Sequence, residues 1–420
     1  MVDRIAIFHE PLIPPGGAER LALEEAKYFA KRLETKLFTF TINDKISSYT
    51  HNELGELEIL EVRKSRMLTV LGHVLGNSIS QAMNQTFTLR ARLLKFSPDI
   101  VIGCTWGGWL QLYFATLFTP MKYVLHIHGT SYWFGSNLPS LIKYSVIHGG
   151  VFAEAMDSVR GHREFNLGSP KFGFPKRLFL EFFSILDFIA VRKARGIVVL
   201  TPQVQWEVKK LYGKHSVVAK GCLDPSLFTY KPKTNPRQLL GIGEDTFVFL
   251  SVSRLEERKR IDRIVEAFAK FSPHGKDSAL LIVGIGAEEG RLKELAETLG
   301  CSSRIKFAGF VPDESLWDYY HACDVFVFAG WSTSPITTYE ALACGKNVIW
   351  SSEADEPPEI MESPQIIFTN PDPDSLASSF VRAYQQRNWI KTDVSKFTWD
   401  NYFNTVRELL SSVSRGASET

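Results

Sequence analysis

Short runs of branched and aromatic residues recur along the chain, and most are followed by a segment whose apolar positions return every three or four residues. In the first half, Arg4 to Phe8, Lys36 to Thr41, Ile100 to Gly103, Tyr123 to His128 and Gly196 to Thr201 read as strands, with a helix from about Ala18 to Leu33. The second half repeats the alternation with strands at Phe247 to Ser253, Ala279 to Gly284, Ile305 to Gly309, Val325 to Ala329, Asn347 to Trp350 and Ile366 to Phe368. Strands alternating with helices predict parallel sheets covered on both faces. The expected class is therefore α/β, with two Rossmann-like domains facing an interdomain cleft. The stretch VVAKGCLDPSLFTYKPKTNP is rich in proline, glycine and polar residues and reads as a linker with its hinge near Asp224. It divides the chain into domains 1–224 and 225–396. A final helix within 397–420 can pack on either domain, with the first as the expected one.

Two segments depart from this pattern. Ile100 to Met121 holds no charged residue and is long enough to cross a bilayer. Gly103, Gly107, Gly108 and Thr119-Pro120 interrupt it, so a buried strand-helix-strand unit is the expectation. Gly129 to Phe183 is aromatic, glycine-rich and irregular, which suggests a lid or an acceptor-binding insertion.

Composition narrows the class. At 420 residues, 45% hydrophobic and 22% charged, the chain suits a soluble two-domain protein and excludes a disordered one. The five cysteines, Cys104, Cys222, Cys301, Cys323 and Cys344, form no CxxC pair and no metal spacing, and are read as small core residues of a reducing compartment. MVDRIAIFHE lacks the features of a signal peptide, so a cytoplasmic location is expected. Charge is uneven: residues 1–200 carry 23 basic against 17 acidic side chains, although the whole chain is only +2. Arg63 to Leu71 and Pro175 to Arg195 mix cations with large apolar side chains. Each is read first as a core helix with solvated charges, and second as peripheral contact with an anionic membrane. No nucleic-acid partner is expected.

The chemistry gathers at strand ends. TFVFLSVS runs into Ser253-Arg254-Leu255-Glu256-Glu257-Arg258-Lys259, which sets Arg254 and Lys259 at a strand's carboxyl end, where open α/β sheets bind ligands. Two fixed cations there suit a diphosphate. STSPITTYEALACG opens a helix with Ser334 as N-cap and Pro335 at the first helical position. The N–H groups of Ile336 and Thr337 would then face an anion or sugar oxygen, and Glu340 shares their face, able to accept from ribose hydroxyls. Gly16 and Gly17, after the first strand, allow close backbone approach to a ligand but match neither a P-loop nor GxGxxG. Gly284 and Gly286 form another strand-end turn, read as lining a base pocket. His126 and His128 end YVLHIHGT on the same strand face; His128 is nearer the loop and better placed to meet a ligand. The two could form a metal pair, but no third ligand is apparent nearby.

Taken together, GGAER, the HG after YVLHI, SVSRLEERKRIDRIVEAF, LLIVGIGAEEGRLKEL, IKFAGFVPDESLWDYYHACDVFVFAG, TTYEALACGKNVI and PPEI resemble a retaining glycosyltransferase of the GT-B fold, family four, over nearly the whole chain. The resemblance implies that Arg254 and Lys259 neutralise the donor diphosphate, Glu340 binds the ribose, Gly16 and Gly17 approach the diphosphate from the other domain, and His128 contacts the transferred sugar. The sequence departs from the family pattern at three places. Ser332 stands where the family has the first of two glutamates, Pro335 replaces a glycine, and Asp355-Glu356 replaces glycines before Pro358-Glu359. A serine offers a neutral hydroxyl where a carboxylate would steady charge at the anomeric carbon.

The resulting expectation is transfer of a sugar from a nucleoside-diphosphate sugar to an acceptor hydroxyl, with retention, the acceptor being a glycan or lipid-linked. No metal or other cofactor is required, because the cations are built in. The alternatives are a catalytically weak nucleotide-sugar-binding subunit, motivated by Ser332, and a nucleotide-sugar epimerase.

Overall fold

The structure is a computed structural model; it describes residues 2–10, 17–41, 57–62, 77–104, 108–127, 141–158, 173–221, 223–271, 277–330, 335–353, 356–386 and 390–415. The chain forms two compact units, one of Met1–Ser158, Phe165–Ala219 and Asp400–Thr420, the other built on Lys220–Trp399.

The first unit holds a seven-stranded parallel sheet: β1 (Arg4–His9), β2 (Glu34–Thr39), β3 (Glu58–Glu61), β4 (Ile100–Gly103), β5 (Lys122–Ile127), β6 (Gly196–Val199) and β7 (Val217–Val218), in the order β3-β2-β1-β4-β5-β6-β7. The edge strands β3 and β7 escaped the sequence reading, because four and two residues are too short to show a period. β4 is buried along its whole length, as a central parallel strand must be. The uncharged stretch beyond it is the expected strand-helix-strand unit. Its helix, Gly108–Thr116, turns Trp109, Leu112 and Ala115 inward. Gly103 makes room for it, since a Cβ there would lie 2.8 Å from the Leu112 side chain. Among the described residues no helix is long and apolar enough to cross a membrane.

The segment expected to be irregular contains the helix Val146–Ser158 and runs into a second, Phe174–Lys193, where Pro175 to Arg195 was read as helical. The first hid because Gly149 and Gly150 and an apolar surface on most sides blur any amphipathic signal. A buried polar network joins the two. His148 Nδ1 lies 2.6 Å from Ser184 Oγ, and its Nε2 lies 3.1 Å from Asp187, which also accepts from Tyr212 Oη at 2.8 Å and from Trp109 Nε1. Serine, histidine and aspartate are thus in relay order, but all three are buried, so the network fastens helices rather than attacking a substrate. Arg63 to Leu71 lies outside the described residues.

The helix Trp399–Ser414 contributes to this unit from Asp400 onward. Phe403 packs on Tyr28 with ring centroids 4.7 Å apart, Lys122 Nζ donates to the Val413 carbonyl at 3.1 Å, and Leu409 sits against Gly196.

The second unit holds six parallel strands, β8 (Phe247–Val252), β9 (Ser278–Val283), β10 (Ile305–Gly309), β11 (Val325–Phe328), β12 (Asn347–Ser351) and β13 (Ile366–Thr369), in the order β10-β9-β8-β11-β12-β13. The helix Ile261–Phe271 buries Ile261, Ile264, Val265, Phe268 and Phe271, the stripe its spacing predicts. Phe249 stacks on Phe380 at 4.4 Å within that core. Both sheets reverse strand order beside their first strand. Loops leaving β8 and β11 therefore diverge at a topological switch point, which is where open α/β sheets leave a crevice.

Candidate functional site

β8 is buried to its end, so the chain leaves the sheet at Ser253 with the charged residues already outside the core. Glu257–Lys259 then forms one 3-10 turn, and Arg260 takes a left-handed backbone (φ 52°) before the helix Ile261–Phe271 begins. A non-glycine residue is strained there. What holds Arg260 is a buried salt bridge: Nη1 lies 2.6 Å from Glu353 Oε2, beyond β12, and donates to the Ala329 carbonyl at 3.3 Å. The guanidinium thereby ties the β8 loop to the end of β11.

That tie fixes a cluster of cations around one carboxylate. Glu256 accepts from Arg258 Nε at 2.8 Å and pairs with Arg254 Nη1 at 3.1 Å. Burial pushes its pKa up, but Arg258 and Arg254 outweigh that and hold it below the usual carboxylate value. Lys259 is half-buried, with Nζ 5.2 Å from the centre of the Phe328 ring. Burial, then repulsion from Arg258 and Arg254, push its pKa down to about 7, with Glu256 opposing. Among the described residues no carboxylate forms a salt bridge with Lys259. The backbone crowds it too, since a Cβ on Gly330 would lie 3.0 Å from Lys259 Cα. Arg254 and Lys259 are thus brought together as the sequence suggested, and Arg258 joins them.

Gly284 and Gly286 have a steric role that the sequence reading did not give them. Gly284 has φ +130°, and a Cβ on it would sit 1.9 Å from the Ser253 carbonyl oxygen; at Gly286 the corresponding distance to Leu255 O is 2.1 Å. The two loops run backbone against backbone, with Ser253 N donating to Val283 O at 3.0 Å and Leu255 N to Ile285 O at 3.0 Å. These glycines let the β9 turn press the Arg254 loop into place.

The helix carrying Glu340 spans Ile336–Ala343, with Pro335 in the N-cap position, one residue later than the sequence implied. Pro335, expected as the first helical residue, thus precedes the helix and has no side chain that can cap it. Ile336 and Thr337 are half-buried in the first turn. Beside them Thr338 is fully buried, and among the described residues its Oγ1 has no hydrogen-bond partner. Glu340 is buried and accepts from Tyr320 Oη at 2.8 Å. A carboxylate expected to accept from a ribose is thus oriented from within by a tyrosine twenty positions earlier, a partner no spacing rule would pick out. Glu356, at one of the departures, accepts from Tyr339 Oη at 2.6 Å. That bond accounts for a carboxylate where the family resemblance has glycine.

In the first unit, Gly17 is exposed at the start of the helix Gly17–Ala30. Gly16, His128, Ser332 and Ser334 lie outside the described residues. His126 is fully buried, and burial pushes its pKa down to about 3, so it is a neutral core histidine. Its neighbour Glu25 is pushed up to about 8 by the same cause, only partly offset by the Cys104 thiol that donates to it.

Residues 15–225 match the family model described as Glycosyltransferase Family 4, and residues 232–392 match Glycosyl transferases group 1. An uncharacterized glycosyltransferase of Methanocaldococcus jannaschii is 26% identical over 234 residues, 51% of this chain and 60% of that protein. The alpha-monoglucosyldiacylglycerol synthase of Acholeplasma laidlawii is 32% identical over 142 residues, 33% of this chain and 36% of the synthase. A D-inositol 3-phosphate glycosyltransferase of Geodermatophilus obscurus is 26% identical over 247 residues, 54% of each chain. The chain therefore spans about a third to three fifths of the length of these curated relatives. Among solved structures, Anabaena HepE in complex with UDP and glucose superposes with a TM-score of 0.69 at 17% identity, covering 98% of this chain and 100% of that one. Sucrose-phosphate synthase from Thermosynechococcus elongatus gives 0.69 at 17% identity over 99% and 100%. At such identities the likeness concerns the fold.

Proposed function

The chain belongs to glycosyltransferase family 4, matched over half its length, and from that premise we propose that it transfers a sugar from a nucleoside-diphosphate sugar to an acceptor hydroxyl with retention. The observation that carries this reading is the charge arrangement at the end of β8. Arg254, Arg258 and Lys259 gather about one carboxylate, and burial together with repulsion from Arg258 and Arg254 depresses the Lys259 pKa. Such a site gains most from an anion, and most of all from one whose charge grows as a bond breaks. A departing diphosphate is that anion. Arg254 and Lys259 take its oxygens, the N–H groups of Ile336 and Thr337 face it from the helix start, and Glu340, held by Tyr320, accepts from the ribose. In the retaining course the acceptor attacks from the face the diphosphate leaves, and a diphosphate oxygen takes its proton.

The acceptor in this proposal is lipid-borne and reached from a membrane surface. The supporting feature is the helix Phe174–Lys193, whose apolarity is turned outward: Phe174, Leu178, Phe182 and Ile185 are 79%, 61%, 55% and 47% exposed, while Ser184 and Asp187 are buried. Spacings of four, four and three put those four on one stripe, and Lys176 and Arg177 stand at its beginning. Two relatives carry lipid names, the alpha-monoglucosyldiacylglycerol synthase above and a monoacylated phosphatidylinositol monomannoside mannosyltransferase of Corynebacterium glutamicum.

Binding of UDP, GDP and ADP followed by calorimetry, then turnover of the matching radiolabelled sugar donors with and without lipid acceptors, tests the reading. Nucleotide binding with neither transfer nor slow donor hydrolysis would overturn it in favour of a binding subunit. For the surface, Phe182→Glu should lower cosedimentation with phosphatidylglycerol vesicles at low salt by about tenfold, since a charge replaces an aromatic ring in the stripe. Equal binding by the variant would remove the stripe from the proposal.

A further inference from the structure

The transfer chemistry leaves unused a buried polar cluster in the first unit, where Glu25 from the helix Gly17–Ala30, Cys104 just past β4, His126 in β5 and Tyr402 in the last helix converge. Cys104 Sγ lies 3.1 Å from Glu25 Oε2 and 3.9 Å from His126 Nδ1, and Nδ1 lies 3.5 Å from the same Oε2. Tyr402 Oη approaches Nδ1 at 3.2 Å. Three polar atoms thus close on one ring nitrogen, which has a single site, one N–H or one lone pair, to offer them. Hydrogen bonding cannot use all three contacts at once. The carboxylate repeats the mismatch: Glu25 is completely buried, and among the described residues its Oε1 has no hydrogen-bond partner.

A metal ion resolves the first, and bound at Oε2 it balances the charge of the buried carboxylate. The three donor atoms lie within 4.8 Å of one another and all belong to buried residues. From their separations, one point in their plane is about 2.1 Å from each, close to the ~2.0–2.3 Å that zinc takes to nitrogen, oxygen and sulfur ligands. We propose that Glu25, Cys104 and His126 form a site for a divalent transition metal of the zinc class, with Tyr402 on its fourth side. As the metal bonds form, the Cys104 thiol and the Glu25 carboxyl each give their proton to solvent, so the thiolate and carboxylate charges balance the cation inside the core. One thiolate, one imidazole and one carboxylate suit zinc over calcium or magnesium, which prefer all-oxygen shells. The ligands are 79 and 22 positions apart, which explains why no spacing rule finds them. Their burial makes the role structural, with the ion loaded as the chain folds and joining β4 and β5 to the first helix. The site stands apart from sugar transfer and does not depend on that reading.

The test uses the untagged full chain, refolded with Zn2+ or with Co2+ and freed of excess metal. About one equivalent should remain by mass spectrometry, in keeping with the affinity of closed structural sites. Bound Co2+ should show the near-ultraviolet charge-transfer band of a thiolate ligand. Cys104→Ser and His126→Gln should each weaken retention by at least ~10–100-fold, the cost known even for outer-shell changes, whereas His215→Gln, outside the cluster, should not. Should those variants fail to fold, the wild-type cobalt band decides alone. A folded wild type with no band and well under one equivalent of zinc overturns the proposal, and so does a band that survives in Cys104→Ser.

Discussion

Lys259 gives the sharpest test of the site, because its charge should depend on what is bound. In the free protein its pKa is pushed down to about 7 by burial and by Arg258 and Arg254. The shift favours the neutral amine, so the group loses its proton as pH rises through about 7 and is about 1% charged at pH 9. A diphosphate reverses the balance. At about 4 Å and an effective dielectric near 20, each unit of negative charge favours the ammonium by roughly 4 kcal/mol, about three pH units, which returns the bound lysine to its ordinary range. Nucleotide affinity should therefore fall about 50-fold, some 2.3 kcal/mol, between pH 7 and pH 9. The phosphate's own last proton leaves near pH 6, below this window. Calorimetry with whichever of UDP, GDP and ADP binds, in two buffers of different ionisation enthalpy, should find close to one proton taken up at pH 9 and almost none at pH 6. Lys259→Arg keeps the charge and should flatten the profile, while Lys259→Ala should bind weakly at every pH. Wild-type affinity that is level from pH 7 to 9 without proton uptake, or a slope that persists in Lys259→Ala, would refute the reasoning.

The remaining expectations concern what supports that lysine. Gly284→Ala places a methyl 1.9 Å from a carbonyl oxygen at φ +130°, and should cost roughly 2–4 kcal/mol in chemical denaturation of the second unit. An unchanged midpoint would mean the loops can part cheaply. Glu353→Leu leaves Arg260 charged and buried, and should destabilise by about 3–5 kcal/mol, with much of the loss recovered when Arg260→Met is added. Additive losses in urea melts would contradict the pairing. Tyr320→Phe removes the hydroxyl that orients Glu340, and should lower stability by about 1–3 kcal/mol and weaken nucleoside diphosphate more than inorganic diphosphate. Equal weakening of both would take Glu340 away from the ribose.

The periodicity of the chain determined most of the fold. Ile261, Ile264, Val265 and Phe268 repeat with the period of a helix that buries one face, while short β-branched and aromatic runs such as FVFLSV and VFVF suit parallel strands buried on both faces. The strand-end position of Arg254 and Lys259 followed from the same pattern. Local order was not enough elsewhere. The edge strands β3 and β7 depend on neighbours to exist at all, and the helix Val146–Ser158 depends on the core that covers it. The site needed tertiary structure in a stricter sense. Arg260 keeps a strained backbone only because Glu353 lies against it, Glu340 is aimed by Tyr320, and Glu25, Cys104 and His126 meet only once three elements are packed. A sequence specifies such groups without displaying their partnership, since electrostatics and hydrogen bonds act through space, whereas the hydrophobic period is written along the chain.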